Sequence, residues 1–208
     1  ELDKLDLSFD AIASHGQTIK HEPPHFSLQI GDPFPMARCF SKPVIYDFRN
    51  SDIKLGGQGA PLIPIVDRML FRHPTQDTLA LNIGGISNLT AIPSSESRLP
   101  VLAWDTGPGN TLIDKAVRLF TSDRLKYDVD GSFARQGKLD RILLDKLLEH
   151  KFYQLPPPRS AGQEQFGQGY FGDLTLNLSL NSDQEFYDLI NTLTYLTVKT
   201  IASSINLL

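Results

Sequence analysis

Cysteine is almost missing from this sequence. One thiol, Cys39, stands among 208 residues, so no internal disulfide can form, and a fold stapled for secretion is excluded in favour of a reducing, cytoplasmic setting. Long apolar runs are missing as well. None approaches the ~18 residues a membrane helix requires, so no membrane partner is expected. There is no surplus of positive charge: 20 Lys+Arg stand against 24 Asp+Glu, a net charge of −4, without the basic stripe of a nucleic-acid binder. No His-x₃-His pair or cysteine cluster has the spacing of a metal site, and no Gly-x-Ser-x-Gly elbow occurs. The run Gly56-Gly57-Gln58-Gly59 lacks the Lys-Ser/Thr ending of a P-loop. Asp128, Asp130 and Gly131 lack the glutamate that would complete a calcium loop. The chain opens at Glu1 without a basic or apolar leader and closes at Leu208 inside an apolar periodic pattern, and it reads as part of something longer. What remains, 40% hydrophobic and 21% charged residues, is a globular composition able to bury a sizeable core.

The region up to Arg72 is rich in loop signals: Pro23-Pro24, Gly31-Asp32-Pro33, Gly56-Gly57 and Ala60-Pro61. Between them, 9–13, 27–30 and 44–48 read as short buried strands. Two of these end in polar clusters, Ser14-His15-Gly16-Gln17-Thr18 and Asp47-Phe48-Arg49, and polar side chains at strand ends are where binding tends to sit. The middle is more regular. Strands are expected at 78–83 and 88–92, joined through Gly84-Gly85 as an antiparallel hairpin, and a third at 101–104. Leu112, Ile113, Ala116, Val117 and Phe120 share one helical face, with Asn110 placed to cap that helix. Leu139 to Leu148 reads as another helix. Pro156-Pro157-Pro158 excludes regular structure over 154–160. Ser182-Asp183-Gln184-Glu185 is a capping box ahead of a long amphipathic helix. The pattern is α/β or α+β with mixed strand directions.

Two motifs carry chemistry. Asn82-Ile83-Gly84-Gly85-Ile86-Ser87-Asn88 sets paired glycines at a hairpin tip, where successive backbone amides can cradle a phosphate; on these residues alone a tight turn needing positive φ is the better explanation, since paired glycines in turns are common. Asp105-Thr106-Gly107-Pro108-Gly109-Asn110 sets a carboxylate at the end of an apolar strand and a Gly-Pro-Gly turn ahead of a helix N-terminus. Free amides and the helix dipole favour anions there, and a carboxylate beside such a site suits a general base in phosphoryl transfer. The alternative is a loop-organising aspartate. Two glycine-bearing turns so close together favour phosphate binding.

Read in order, Ser-His-Gly-Gln-Thr-Ile (14–19), Leu-Gln-Ile-Gly-Asp-Pro (28–33), Asp-Phe-Arg (47–49), Gly-Gly-Gln-Gly-Ala-Pro-Leu (56–62), Asn-Ile-Gly-Gly-Ile-Ser-Asn (82–88), Asp-Thr-Gly-Pro-Gly-Asn (105–110), Tyr-Asp-x-Asp-Gly (127–131) and Leu-Pro-Pro-Pro (155–158) make a series that resembles the anhydro-N-acetylmuramic acid kinases. The resemblance implies an α/β, actin-like ATPase (ribonuclease H-like) fold, with mixed sheets flanked by helices in two lobes. Residues 1–75 would belong to the first lobe and 76–208 to the second. It implies ATP and Mg²⁺ as cofactors, a small anhydrosugar as substrate and a possible homodimer. The reaction would open the 1,6-anhydro ring with water and phosphorylate O6. Asp105 would be the base. Gly84, Gly85, Asn88, Gly107, Gly109 and Asn110 would hold the nucleotide, and Gln17, Thr18, Asp47 and Arg49 would line the sugar side. A related anhydrosugar such as levoglucosan is an alternative substrate, and a non-catalytic binding fragment an alternative role. The family's Gly-Thr-Ser-x-Asp-Gly loop does not occur here. Its Lys-Ser-Thr-Gly-Arg-Glu is replaced by Arg159-Ser160-Ala161-Gly162-Gln163-Glu164.

Overall fold

A computed structural model describes residues 8–22, 25–176 and 178–207; Pro23 and Pro24 lie outside the described residues. The chain divides into two compact units between Ile63 and Pro64.

In the first unit, β1 (Ile12–Ala13), β2 (Gln17–Glu22), β3 (Phe26–Ile30), α1 (Phe34–Phe40), β4 (Val44–Ile45) and α2 (Phe48–Lys54) follow one another. β1 pairs in parallel with β4, and β2 pairs antiparallel with β3. The strand expected over 9–13 is only two residues long, and the one over 44–48 ends at Ile45. Asp47 terminates it: its φ of 60° turns the chain out of extended structure into α2. α1 escaped the sequence pattern because Pro35 sits inside an apparent loop. At the start of a helix a proline costs nothing, since its missing N–H would be unpaired there anyway.

In the second unit, α3 (Ile63–Phe71) leads into a three-stranded antiparallel sheet in the order β5 (Thr78–Ile83), β6 (Ile86–Ile92), β7 (Leu102–Pro108). The expected hairpin is present, with Ile83 opposite Ser87 and Thr78 opposite Ile92. α3 belongs to the sheet rather than to the loops before it. The Asp67 carboxylate accepts the Thr90 hydroxyl at 2.7 Å, and Arg72 donates to the carbonyls of Pro93 and Ser94. The third strand continues past Trp104 through Asp105-Thr106-Gly107 to Pro108, so the expected turn is the end of β7.

Four helices pack a core beside this sheet: α4 (Thr111–Thr121), α5 (Arg141–Leu148), then, after the short α6 (Gln163–Phe166), α7 (Gln168–Leu176) and α8 (Asp183–Ile205). Leu112, Ala116 and Val117 of α4, Leu143 and Leu147 of α5, Phe171 of α7 and Leu189, Ile190, Leu193 and Leu196 of α8 form one buried cluster. Each large side chain there contributes roughly 1.5–3 kcal/mol. The capping box opens α8 as expected: Ser182 Oγ accepts from the Glu185 amide, while Glu185 Oε2 accepts from Ser182 N at 2.9 Å and Asn181 N at 2.7 Å. Those donors hold the Glu185 carboxyl below the ordinary carboxylate range. α5 is capped by Asp140, whose carboxylate accepts from the Leu143 amide at 3.0 Å.

Candidate active site

β6 and β7 bring the two motifs together. Asn88 lies opposite both Asn82 on β5 and Asp105 on β7, so the three share one row on one face of the sheet. The register then shifts: Ser87 pairs with Gly107, and Thr106 is the extra residue of a bulge. Thr106 is fully buried and its hydroxyl meets the Ser87 hydroxyl and carbonyl, which fixes the bulge in place.

Asp105 is partly buried, and one carboxylate oxygen, Oδ2, accepts the Ala161 amide at 2.7 Å. Its backbone is tied to the same segment: Asp105 N donates to Arg159 O at 2.9 Å, and Arg159 Nε donates to Asp105 O at 3.2 Å. Burial pushes the carboxyl above its ordinary range, and the Ala161 amide and the Arg159 guanidinium pull it partly back. The contact at position 161 is made by the backbone, so the hydroxyl that alanine lacks is not needed for it.

The glycine turns differ from expectation. Neither Gly84 nor Gly85 has positive φ, so the tight-turn explanation does not hold for them. Nor does packing demand glycine: a Cβ on Gly85 would meet Thr111 Cβ at 3.9 Å and one on Gly84 would meet Ile86 O at 3.5 Å, both ordinary contacts. Gly107 and Gly109 are different. Gly107 has φ +141°, with Tyr153 Cε1 2.9 Å from where a Cβ would stand, and a Cβ on Gly109 would overlap the Gly84 carbonyl oxygen. That close approach lets Gly109 N and Thr111 N donate to Gly85 O at 2.9 and 3.1 Å and Asn110 N donate to Gly84 O at 2.8 Å. The expectation of free amides at the start of α4 is thereby corrected in part, because carbonyls of the hairpin occupy those of the N-cap Asn110 and of Thr111. Asn110 stands at the N-cap position, but its side chain makes no capping bond. Thr197 of α8 completes the turn by donating to Gly109 O at 2.8 Å.

In the first unit, Ser14, His15, Gly16, Ser27, Gln29, Asp32, Tyr46, Asp47 and Asn50 contribute to the lining of a cavity of about 300 Å³. Two buried lining atoms, Ser27 Oγ and Gln29 Oε1, have no hydrogen-bond partner among the described residues. Asp47 faces the cavity, and its carboxylate accepts from Asn50 Nδ2 at 2.7 Å. Asn50 also exchanges bonds with the backbone of Ser27, accepting from N at 2.9 Å and donating to O at 2.8 Å. It acts as a substitute strand partner that holds both Ser27 and Asp47. Gln17 and Thr18 lie on β2 opposite Ile30 and Gln29, next to the cavity rather than in its lining. Arg49 points elsewhere: Nη1 donates to Gly59 O at 2.8 Å, while Asp52 accepts the Gly59 amide at 2.7 Å, so together they pin the 56–61 loop. Ser27, Gln29 and Asn50 were not singled out in the sequence, and His15 only as part of a polar cluster. Only the Ser-His-Gly-Gln-Thr cluster hinted at His15, and nothing in the local pattern marks Asn50.

A mixed α/β protein with a partly buried carboxylate beside a diglycine turn is what the geometry shows, and comparison with known proteins is more specific. The family model described as anhydro-N-acetylmuramic acid kinase matches residues 5–208. Curated proteins of that name are similar to the chain: one from Bacillus thuringiensis subsp. konkukian at 42% identity over 207 residues (96% of this chain, 52% of that protein). Another, from Caldanaerobacter subterraneus subsp. tengcongensis, is 40% identical over 205 residues (94% and 51%). The chain belongs to the anhydro-N-acetylmuramic acid kinase family, and it spans about half the length of the curated relatives it matches.

Proposed function

We propose that this chain supplies the carboxylate side of an ATP-dependent kinase that opens 1,6-anhydro-N-acetylmuramic acid and phosphorylates it, within a two-lobed, actin-like ATPase fold. The observation that carries this reading is Asp105. Its Oδ2 is satisfied by the Ala161 amide, while Oδ1 has no partner among the described residues, so one oxygen is anchored and the other is available to take a proton. A carboxyl raised by burial is a stronger base once ionised, which suits it to withdraw a proton from the water attacking the sugar's anomeric carbon. Bound ATP with Mg²⁺ would supply the transferable phosphoryl group and the neutralising charge.

Gly84 and Gly85 are glycines that neither φ nor packing requires, and they leave bare backbone beside the Asn88–Asp105 row. That surface fits the close approach of a phosphate. Gly107, Gly109 and Asn110 serve it by seating α4 on the hairpin. The cavity of the first unit, with Asp47, Ser27 and Gln29 offering hydrogen bonds, fits the polar groups of a sugar. Asp105→Asn should lower phosphorylation of 1,6-anhydro-N-acetylmuramic acid by about 10³-fold while nucleotide binding by calorimetry is preserved. Turnover by the variant near the parental rate would remove Asp105 from the role of base.

The alternative named above, a binding fragment without turnover, is separable by experiment. Calorimetry with a non-hydrolysable ATP analogue and the anhydrosugar, followed by a product assay with ATP, separates the two: binding without product supports the fragment, and product excludes it.

A further inference from the structure

Arg159 is only 8% exposed, and among the described residues its guanidinium makes no ion pair. Its donors go to neutral acceptors instead. Nε donates to Asp105 O at 3.2 Å, Nη1 to Tyr153 O at 3.2 Å and Leu155 O at 2.7 Å, and Nη2 to Ser204 Oγ at 3.1 Å. The guanidinium also lies over the Phe152 ring, 4.9 Å from its centroid. A buried cation is costly unless its donors are satisfied, and only a planar fork reaches acceptors spread over this many elements. One side chain thus ties together β7, the 3-10 turn Lys151–Gln154, the start of the proline segment and α8.

We propose that Arg159 is the positioning residue of Asp105: it fastens the 155–161 segment to β7 so that the Ala161 amide meets one carboxylate oxygen, and it sets its guanidinium beside that aspartate. The geometry is specific. Arg159 bonds the Asp105 backbone in both directions, so the residue two places on, Ala161, is delivered to the side chain of the same aspartate. Pro156, Pro157 and Pro158 restrict φ between the two clamped ends of the segment, Leu155, whose carbonyl accepts from Nη1, and Arg159 itself. Asn88 on β6, Tyr153 on the 3-10 turn and Ser204 on α8 are neutral, Tyr153 the more firmly so because burial raises its hydroxyl far above the ordinary phenol range. Arg159 is therefore the charge this carboxylate senses. The inference rests on the reading of Asp105 as base for its kinetic consequence only.

The sign follows directly. Burial favours the protonated carboxyl and Arg159 opposes burial, so removing the cation moves protonation to higher pH and moves the acid limb of the pH–rate profile in the same direction. The test uses this chain with Arg159→Met and Arg159→Lys. The Asp105 carboxyl is followed by carbon-13 NMR titration, assigned with Asp105→Asn, and the Ala161 amide by hydrogen exchange. The Met variant should show an upward titration midpoint and Ala161 exchange faster by about tenfold. Lys keeps the charge but not the fork, so its midpoint should move less while exchange still quickens. If Arg159→Met does not fold, Ser204→Ala, which removes one acceptor, should give a smaller increase in Ala161 exchange. An unchanged midpoint and unchanged protection in the folded variants would overturn the proposal. A midpoint that moves while the acid limb of turnover stays put would leave Arg159 in its role and remove Asp105 from the role of base.

Discussion

Two pairs of glycines meet across one turn and have opposite reasons for being there. Gly107 and Gly109 are demanded by the fold, one by a left-handed backbone under the Tyr153 ring and the other by a carbonyl lying where its side chain would be. Gly84 and Gly85 answer no such demand, yet their carbonyls receive the first amides of α4 and their outer face is bare. The contrast separates glycine used as a hinge from glycine used as a clearing. In a motif read by eye the two look alike. Only the φ angles and the space around each Cα tell them apart.

Substitutions can break or sharpen the contrast. The largest effect is expected for Gly109→Ala, where a methyl group must displace the Gly84 carbonyl. The cost should be about 3 kcal/mol, at the upper end for overpacking, and the thermal midpoint followed by circular dichroism should fall by roughly 6–12 °C. Gly107→Ala comes next, at about 2 kcal/mol from positive φ and the crowded Tyr153 ring, read as a lower midpoint in urea. Gly85→Ala is the sharpest comparison because its stability should stay within about 0.5 kcal/mol of the parent. Its affinity for an ATP analogue, measured by calorimetry, should nevertheless drop on the order of tenfold if phosphate uses the cleared face. Equal affinity in Gly85→Ala and the parent would make that turn a hairpin and nothing more.

Much of this architecture can be read from the chain before any coordinates. Two short strands joined through Gly84-Gly85 announce a hairpin, and the Ser182–Glu185 box announces α8, because both signals are local. α1 and α3 were hidden by prolines near their starts, where proline is harmless. β2 was hidden because Gln17-Thr18-Ile19-Lys20-His21-Glu22 is polar on both faces and looks like a loop. The site was half legible. Asp105 stood out by its position after an apolar strand, but its register with Asn88 did not, because the hairpin fixes only β5 against β6. Arg159 and Asn50 could not be found that way. Each matters through bonds to residues 54 and 23 positions away, and no local pattern encodes a partner at that separation. The occupied amides of α4 were missed for the same reason, since which carbonyl reaches a helix start is decided by packing.

The bulge at Thr106 has an evolutionary corollary. Side chains on a strand alternate sides, so the parity of the count along β7 decides which face receives the carboxylate. A loop that makes no fixed contacts can gain or lose a residue and only change length. A residue inserted between Trp104 and Asp105 would swap inside for outside, sending the carboxylate towards Leu89 and the core. The step from Trp104 to Asp105 therefore carries a constraint on length as well as on side-chain identity.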